Sequence, residues 1–478
     1  MDATIRMTHG RRPGRHATGA TGAPDPDGPP RGRWRGLLAT LRASLFPDPA
    51  ETPRGRLASA LTALVALCAV PVVALRAPLS GWDSIWAEDG SVFLQQALDR
   101  SFWHTVFEPY AGYLLVFPRL AALVAAALPL AWAGTVFTLT AAALVVWVAW
   151  TVWSFSAGLI PSPWLRAALA AVVVLVPTGG IEAVDNVANS HFYLVFGAFW
   201  VLLGRARSRG ALVSGHALVL LATLTDPLTL VFLPVALARF VVLPAWRERS
   251  ISVVYALGTL VQLAVVASTE RDSSGGFPGL RELVFGYDAR VLSPSFISQE
   301  GTQELVLSNE GAVKYVAAAV CVVLLVAVLL ARTNRLAVLA TAIASVAFFT
   351  ISSAFALGGG YPPTDMYRLL LDAYSRYPLV PSMLLMTAWL LAAQGAAGRL
   401  PRIGRLGVCV VAVAPILVAG IIDFRPPVSP REGHTDWSDQ VERARDSCAV
   451  DPTTADAEIV IAPSLPWVVD LDCSDVTG

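Results

Sequence analysis

Residues 113–130 read YLLVFPRLAALVAAALPL. Whether this apolar stretch crosses a membrane decides the topology of everything after it. Pro118-Arg119 interrupts it, and only a short connection separates it from the next apolar run. The stretch is therefore read as an interfacial or partly re-entrant helix, not a span. Eleven other runs are read as spans, at about 57–75, 133–154, 164–177, 191–204, 211–224, 227–243, 251–268, 313–331, 336–357, 378–397 and 406–422. Under this reading the N-terminus and the loops at Arg166, Arg205–Arg209, Arg247–Arg249, Arg332–Arg335 and Arg399–Arg405 share one side. That side holds most of the arginines and few of the carboxylates. Counting 113–130 as a twelfth span would send most of those clusters to the opposite side. The positive-inside rule thus predicts eleven spans, a cytoplasmic N-terminus and an extracytoplasmic C-terminus.

Composition agrees with membrane residence. Hydrophobic residues make up 55% of the 478 and charged residues only 15%, too little charge to cover a soluble protein of this size. The formal net charge is zero, so no basic field points to nucleic acid. Lys314 is the only lysine among many arginines and alanines, a bias of high-GC bacterial genomes, and the expected location is the bacterial plasma membrane. Three regions follow. Residues 1–56 are rich in Arg, Pro and Gly and read as a disordered basic cytoplasmic tail. The twin arginine Arg11-Arg12 lacks the apolar run of an export signal. Residues 57–422 form the polytopic all-α domain, with a long first outside loop at 76–132. Residues 423–478 form a small extracytoplasmic tail. In it, Cys448 and Cys473 face an oxidising compartment and are expected to pair. EIVIAPSLPWVVDLDC (458–473) reads as one or two short strands. Cys68, Cys321 and Cys409 sit inside apolar runs and read as packing residues.

Polar residues concentrate in the outside loops. The first contains WDSIWAEDGSVFLQQ (82–96), with Asp83, Glu88 and Asp89 framed by Trp82 and Trp86. A helix starting here would place Asp89, Phe93 and Ala97 on one face. Asp89 then either opens that helix or acts as a general base towards a hydroxyl. The second loop supplies Glu182, Asp185, Asn186, Asn189, Ser190 and His191, the carboxylates and amides that bind hydroxyl-rich ligands such as sugars. His191 lacks the second histidine of a metal site. Asp226 before Pro227 reads as a helix cap. Arg376 and Tyr377 precede a span; the arginine either pairs with a phosphate or snorkels to the interface. No Walker sequence, dinucleotide fingerprint, zinc pattern or Gly-x-Ser-x-Gly elbow occurs.

This layout resembles the GT-C superfamily of integral membrane glycosyltransferases, which use polyprenyl-phosphate sugars. The resemblance covers roughly residues 57–270. It rests on one span followed by a long outside loop that opens with an acidic motif and leads to an interfacial helix. Many members carry Asp-Glu-x-x-Tyr, as in the mannosyl- and aminoarabinose-transferase branches. Here Asp89-Gly90-Ser91-Val92-Phe93 keeps the Asp and an aromatic four residues on, with Gly90 in place of the Glu and Glu88 preceding. Pro109-Tyr110-Ala111-Gly112-Tyr113 loosely matches the family's next stretch, and Asp185 and Asn189 its second acidic position. The resemblance implies sugar transfer from a polyprenyl-phosphate donor to a glycan, lipid or protein acceptor of the cell envelope. Asp89 would take the acceptor proton and Glu88 or Asp185 would orient the acceptor or a metal. Arg376 would hold the donor phosphate, with Asp83, Asn189, His191 and Tyr377 nearby as binding residues. Some branches need a divalent cation, magnesium or manganese. Two other classes handle the same substrates: a flippase or transporter for lipid-linked glycans, and an O-antigen ligase or polymerase.

Overall fold

The computed structural model describes residues 30–49, 56–183, 186–270, 277, 279–308, 312–331, 334–356, 376–425, 429, 431–451 and 457–477. The longer helices are α1 (Pro30–Leu45), α2 (Arg56–Ala74), α3 (Val116–Ala126), α4 (Ala133–Phe155), α5 (Pro163–Leu175), α6 (His191–Leu203), α7 (Arg209–Thr223), α8 (Leu233–Val242), α9 (Trp246–Ser268), α10 (Gln299–Ser308), α11 (Val313–Leu330), α12 (Arg335–Ala356), α13 (Leu379–Ala397), α14 (Arg402–Ile422) and α15 (Trp437–Val450). Strands β1 (Pro109–Tyr110) and β2 (Tyr113–Leu114) form one antiparallel hairpin, β3 (Ala457–Val460) and β4 (Val468–Leu471) another. Among the described residues, α4, α9, α12, α13 and α14 are long and apolar enough to cross a membrane; shorter apolar helices pack among them. The protein is membrane-embedded.

Two helices form the centre. Every residue of α6 is buried, and nearly every residue of α13. Both are apolar all round, the pattern of a helix surrounded by other helices. By contrast α9 and α14 expose Leu257, Leu260, Val410, Val411 and Val418, apolar surface suited to lipid. The stretch 113–130 contains the β1–β2 turn's second strand and α3, of 11 residues. At 1.5 Å per residue α3 is about 16 Å long, roughly half the ~30 Å hydrocarbon core.

The tail 1–56 departs from the expectation of disorder, since Pro30–Leu45 is helical. Leu38, Leu41 and Leu45 lie along one side of α1, and with Phe46 they pack on Val242 and Leu243 at the end of α8. Nearby, Arg205 pairs with Glu248 (2.6 Å) and Asp48. Arg239 donates to the carbonyls of Leu202 and Glu248, and Asn334 donates to the carbonyl of Leu159 (2.9 Å). All these residues belong to connections or helix ends on the arginine-rich side. The connections of the acidic side meet at the other end of the bundle.

There the C-terminal tail folds as α15, the β3–β4 hairpin and a short helix at Cys473–Thr477, with Cys448 and Cys473 joined in a disulfide. It packs on the first outside loop. Trp437, Val441, Ile459, Ile461, Val469 and Leu471 are buried against Ile85, Phe93 and Leu94. Arg431 donates to the Ser84 carbonyl (2.8 Å) and the Thr138 hydroxyl (3.0 Å). Ala462 clamps the acidic segment from both sides, accepting from Ala87 N–H (2.6 Å) and donating to the Ile85 carbonyl (3.1 Å).

Candidate functional site

A cavity of about 590 Å³ opens at this end of the bundle. One part of its wall is polar, built from Glu88, Tyr110, Asn189, His191, Asp226 and Arg376. Most of the remaining lining is hydrocarbon, including Phe192 on α6, Leu228, Leu230 and Val231 in the turn before α8, Val266 on α9 and Ile351 on α12, with Ser352, Tyr113 and Tyr377 among it. Segments far apart in sequence converge because the helices that carry them pack around α6.

The acidic pair divides its roles. Asp89 begins a π-helical turn, Asp89–Leu94, that carries the chain into Gln95–Asp99; such turns often accompany functional sites. Its side chain is 1% exposed and does not line the cavity. One carboxylate oxygen accepts the Val187 N–H (2.9 Å) and the other the Ala188 N–H (2.6 Å). Asp89 thus neither caps its own helix nor faces the cavity: it ties the second outside loop to the first. Glu88, one residue earlier, lines the cavity.

Burial dominates the titration of Asp89. It raises the carboxyl from its ordinary 3.8 to about 7, against the two backbone N–H groups that favour the ionised form; Glu88 adds to the rise and Arg431 opposes it. The folded protein therefore holds this proton more tightly than the unfolded chain. Stability from this group is fully present below about pH 4 and is lost as pH rises through about 7. Thermal unfolding between pH 4 and 8 is expected to show that decline, and Asp89→Asn to flatten it. An Asp89→Asn variant with the wild-type slope would assign the effect to another group.

The other residues singled out from the sequence separate into two sets. Asn189, His191, Arg376 and Tyr377 all line the cavity. Asn189 is fixed by its amide, which donates to the Glu182 carbonyl (2.7 Å), and by its N–H on Asn186 (2.8 Å). Arg376 pairs with Glu182 at 3.5 Å, and its backbone N–H donates to the same oxygen at 3.1 Å. Burial works against its charge, but Tyr377, Glu182, Glu88 and Tyr113 outweigh it and raise the guanidinium above its ordinary value. Asp83 is elsewhere: its carboxylate accepts from Ser438 N–H (3.2 Å) and hydroxyl, its carbonyl from Trp437 N–H (2.7 Å). It receives the start of α15 and belongs to the docking of the tail. Asp185 lies outside the described residues.

Two cavity residues carry more than the sequence suggests. Asp226 caps the turn at Pro227 by accepting from Leu228 N–H (2.7 Å), as its position before proline indicates. It also accepts from His191 Nδ1 at 2.8 Å, with both side chains buried. Nothing local signals this second bond, because His191 is 35 residues away. Tyr110 presents its phenol, which burial and Glu88 push up in pKa, so it keeps its donor hydrogen at neutral pH.

A divalent cation would need oxygen or nitrogen donors free to hold it. Asp226 is committed to His191 and Leu228, and Glu182 to Arg376. Among the described residues no three His, Cys, Asp or Glu side chains come together to hold a metal. The described side chains do not by themselves fit a magnesium or manganese site.

No protein-family model, curated protein or solved structure matches the chain.

Proposed function

We propose that the protein is a membrane glycosyltransferase. It would transfer a sugar from a polyprenyl-phosphate donor to a glycan, lipid or protein acceptor of the cell envelope, at the outer face of a bacterial plasma membrane. The observation that carries this reading is the mixed lining of the cavity: hydroxyl-binding groups and carboxylates together with a large share of hydrocarbon side chains. Such a site suits a ligand with a sugar head and a prenyl tail. The resemblance of the first loop to the GT-C layout points to the same chemistry.

In this mechanism the hydrocarbon side chains of the lining hold the first prenyl units. Arg376 faces the donor phosphate, and Tyr110 and Asn189 bind hydroxyls. Glu88 takes the proton of the acceptor hydroxyl as its oxygen attacks the anomeric carbon. The bond from that carbon to the phosphate oxygen breaks, and the electron pair leaves with the lipid phosphate. Glu88 is chosen over Asp89 because a general base must reach the proton it removes, and only Glu88 lines the cavity. Asp89 acts one step back, fixing the loop that carries Asn189 and His191.

Eleven crossings with a cytoplasmic N-terminus fit this mechanism. The packing supports them, since the arginine-rich connections cluster around Arg205 and Arg239 while the cavity and tail occupy the opposite end. Cysteines introduced at positions 185 and 207 are expected to react with an impermeant reagent from outside and from inside, respectively. Reaction of both from one side would contradict eleven crossings.

Protein reconstituted in vesicles with labelled polyprenyl-phosphate sugars and a panel of envelope acceptors tests the activity. The expected result is label in the acceptor. Movement of the intact lipid-linked sugar across the bilayer, with no transfer, would make the protein a flippase instead.

A further inference from the structure

Asp226 constrains His191 more tightly than a simple ion pair would. Its second oxygen accepts the Leu228 N–H at 2.7 Å, and an ionised carboxylate can only accept. The imidazole must then donate from Nδ1 across the 2.8 Å contact. A neutral ring held this way has only a lone pair at Nε2. Among the described residues Nε2 has no hydrogen-bond partner, although the ring is 6% exposed and lines the cavity.

The surroundings of the ring set what it can bind. His191 is the first residue of α6, a helix of 13 residues; His191 and Phe192 in its first turn and Asn189 just before it line the cavity. A helix N-terminus favours an anion. Among the described residues, the charged groups lining the cavity are Glu88 from the first loop, Asp226 ahead of α8 and Arg376 ahead of α13, beside the phenols of Tyr110, Tyr113 and Tyr377. With a neutral imidazole these described groups sum to one net negative charge, and Arg376 is already shared with Glu182. A phosphodiester would meet a lone pair at Nε2 and an excess of carboxylate.

We propose that His191, oriented by Asp226 at the start of α6, is a phosphate-binding group that takes up one proton when a lipid phosphodiester enters the cavity. Protonation turns Nε2 into a donor towards a phosphate oxygen and brings those described groups to neutrality. The imidazolium then sits between two anions, Asp226 and the ligand. This rests on the glycosyltransferase reading and adds what that reading leaves open: how an acidic wall accepts an anionic donor.

The test is calorimetry on the full-length protein with farnesyl methyl phosphodiester, whose single charge does not change near neutral pH. Measurements in two buffers of different ionisation enthalpy count protons. The expected result is about one proton taken up per ligand, with affinity falling up to roughly tenfold per pH unit on the alkaline side. His191→Gln is expected to bind more weakly and without uptake. Asp226→Asn is more diagnostic: an amide that keeps its oxygen on Leu228 N–H offers its NH2 to Nδ1, so the proton moves to Nε2. That variant is expected to bind with no uptake. Wild-type binding without proton uptake, or uptake unchanged in His191→Gln, would overturn the inference alone. No binding at any pH would overturn it together with the glycosyltransferase reading.

Discussion

Glu88→Gln is expected to slow sugar transfer by about 10² to 10⁴-fold, the range for removing a positioned general base. The change is nearly isosteric. Glu88 is partly exposed at the cavity wall, so the glutamine keeps its solvation and thermal stability should hardly move. The loss should fall on turnover more than on donor affinity, because the carboxylate is asked to act on the acceptor proton in the transition state. Asp89→Asn gives the opposite signature. An amide supplies one acceptor oxygen where the carboxylate supplies two, so the N–H of Val187 or Ala188 would face an NH2 group. A buried donor left without an acceptor costs about 1–3 kcal/mol. Asp89→Asn should therefore lose stability first and activity through it. Full transfer activity in Glu88→Gln would eliminate Glu88 as the base.

Gly90→Glu is expected to be the most damaging substitution in the first loop, even though it restores the Asp-Glu order of the GT-C motif. A Cβ built on Gly90 would lie 2.5 Å from Ile461 Cδ1 and 2.9 Å from both Ile85 Cγ2 and Val469 Cγ2. Two of those three side chains belong to the C-terminal tail. Adding a methyl group alone overfills this contact, at a cost of about 1–3 kcal/mol. A glutamate would add a carboxylate buried among apolar side chains, which costs more. The tail should lose its seat on the π-helical turn, and the clamp of Ala462 on Ile85 and Ala87 would go with it. Limited proteolysis reports this directly: the variant should be cut within 431–477 under conditions that leave the wild type intact. Equal protection in Gly90→Glu would show that the tail does not depend on this contact. The glycine at position 90 thus has a local role, since it lets the tail approach the backbone next to Glu88.

Much of the helical layout is readable from hydropathy, because runs near 20 apolar residues have few alternatives. The run read at 164–177 is helix Pro163–Leu175, and that at 406–422 lies within Arg402–Ile422. Pro118-Arg119, read as an interruption of the stretch at 113–130, instead lies in the first turn of α3, where Arg119 is fully buried and donates to Gln96. Helix α1 escapes such a reading because its few leucines are outnumbered by Arg, Pro and Gly in the same tail. The site is less legible. Asn189, His191, Arg376 and Tyr377 stand out as polar residues beside spans, and the fold gathers them. The burial of Asp89 beside a cavity-lining Glu88 leaves no local trace, since the partners of Asp89 lie about a hundred positions later. For the same reason Asp83 reads as part of an acidic cluster, while its partners are Trp437 and Ser438.

A prenyl phosphate is expected to lie with its head near Glu88 and Arg376 and its tail along Leu228–Val231, Val266 and Ile351. Photoaffinity labelling with a polyprenyl-phosphate sugar carrying a diazirine in its first prenyl units tests it most directly, read by peptide mass spectrometry. The account predicts label on the peptides containing Leu228–Val231, Val266 and Ile351, suppressed by excess unlabelled donor. Label confined to the outward faces of α9 and α14, or unaffected by competitor, would contradict it.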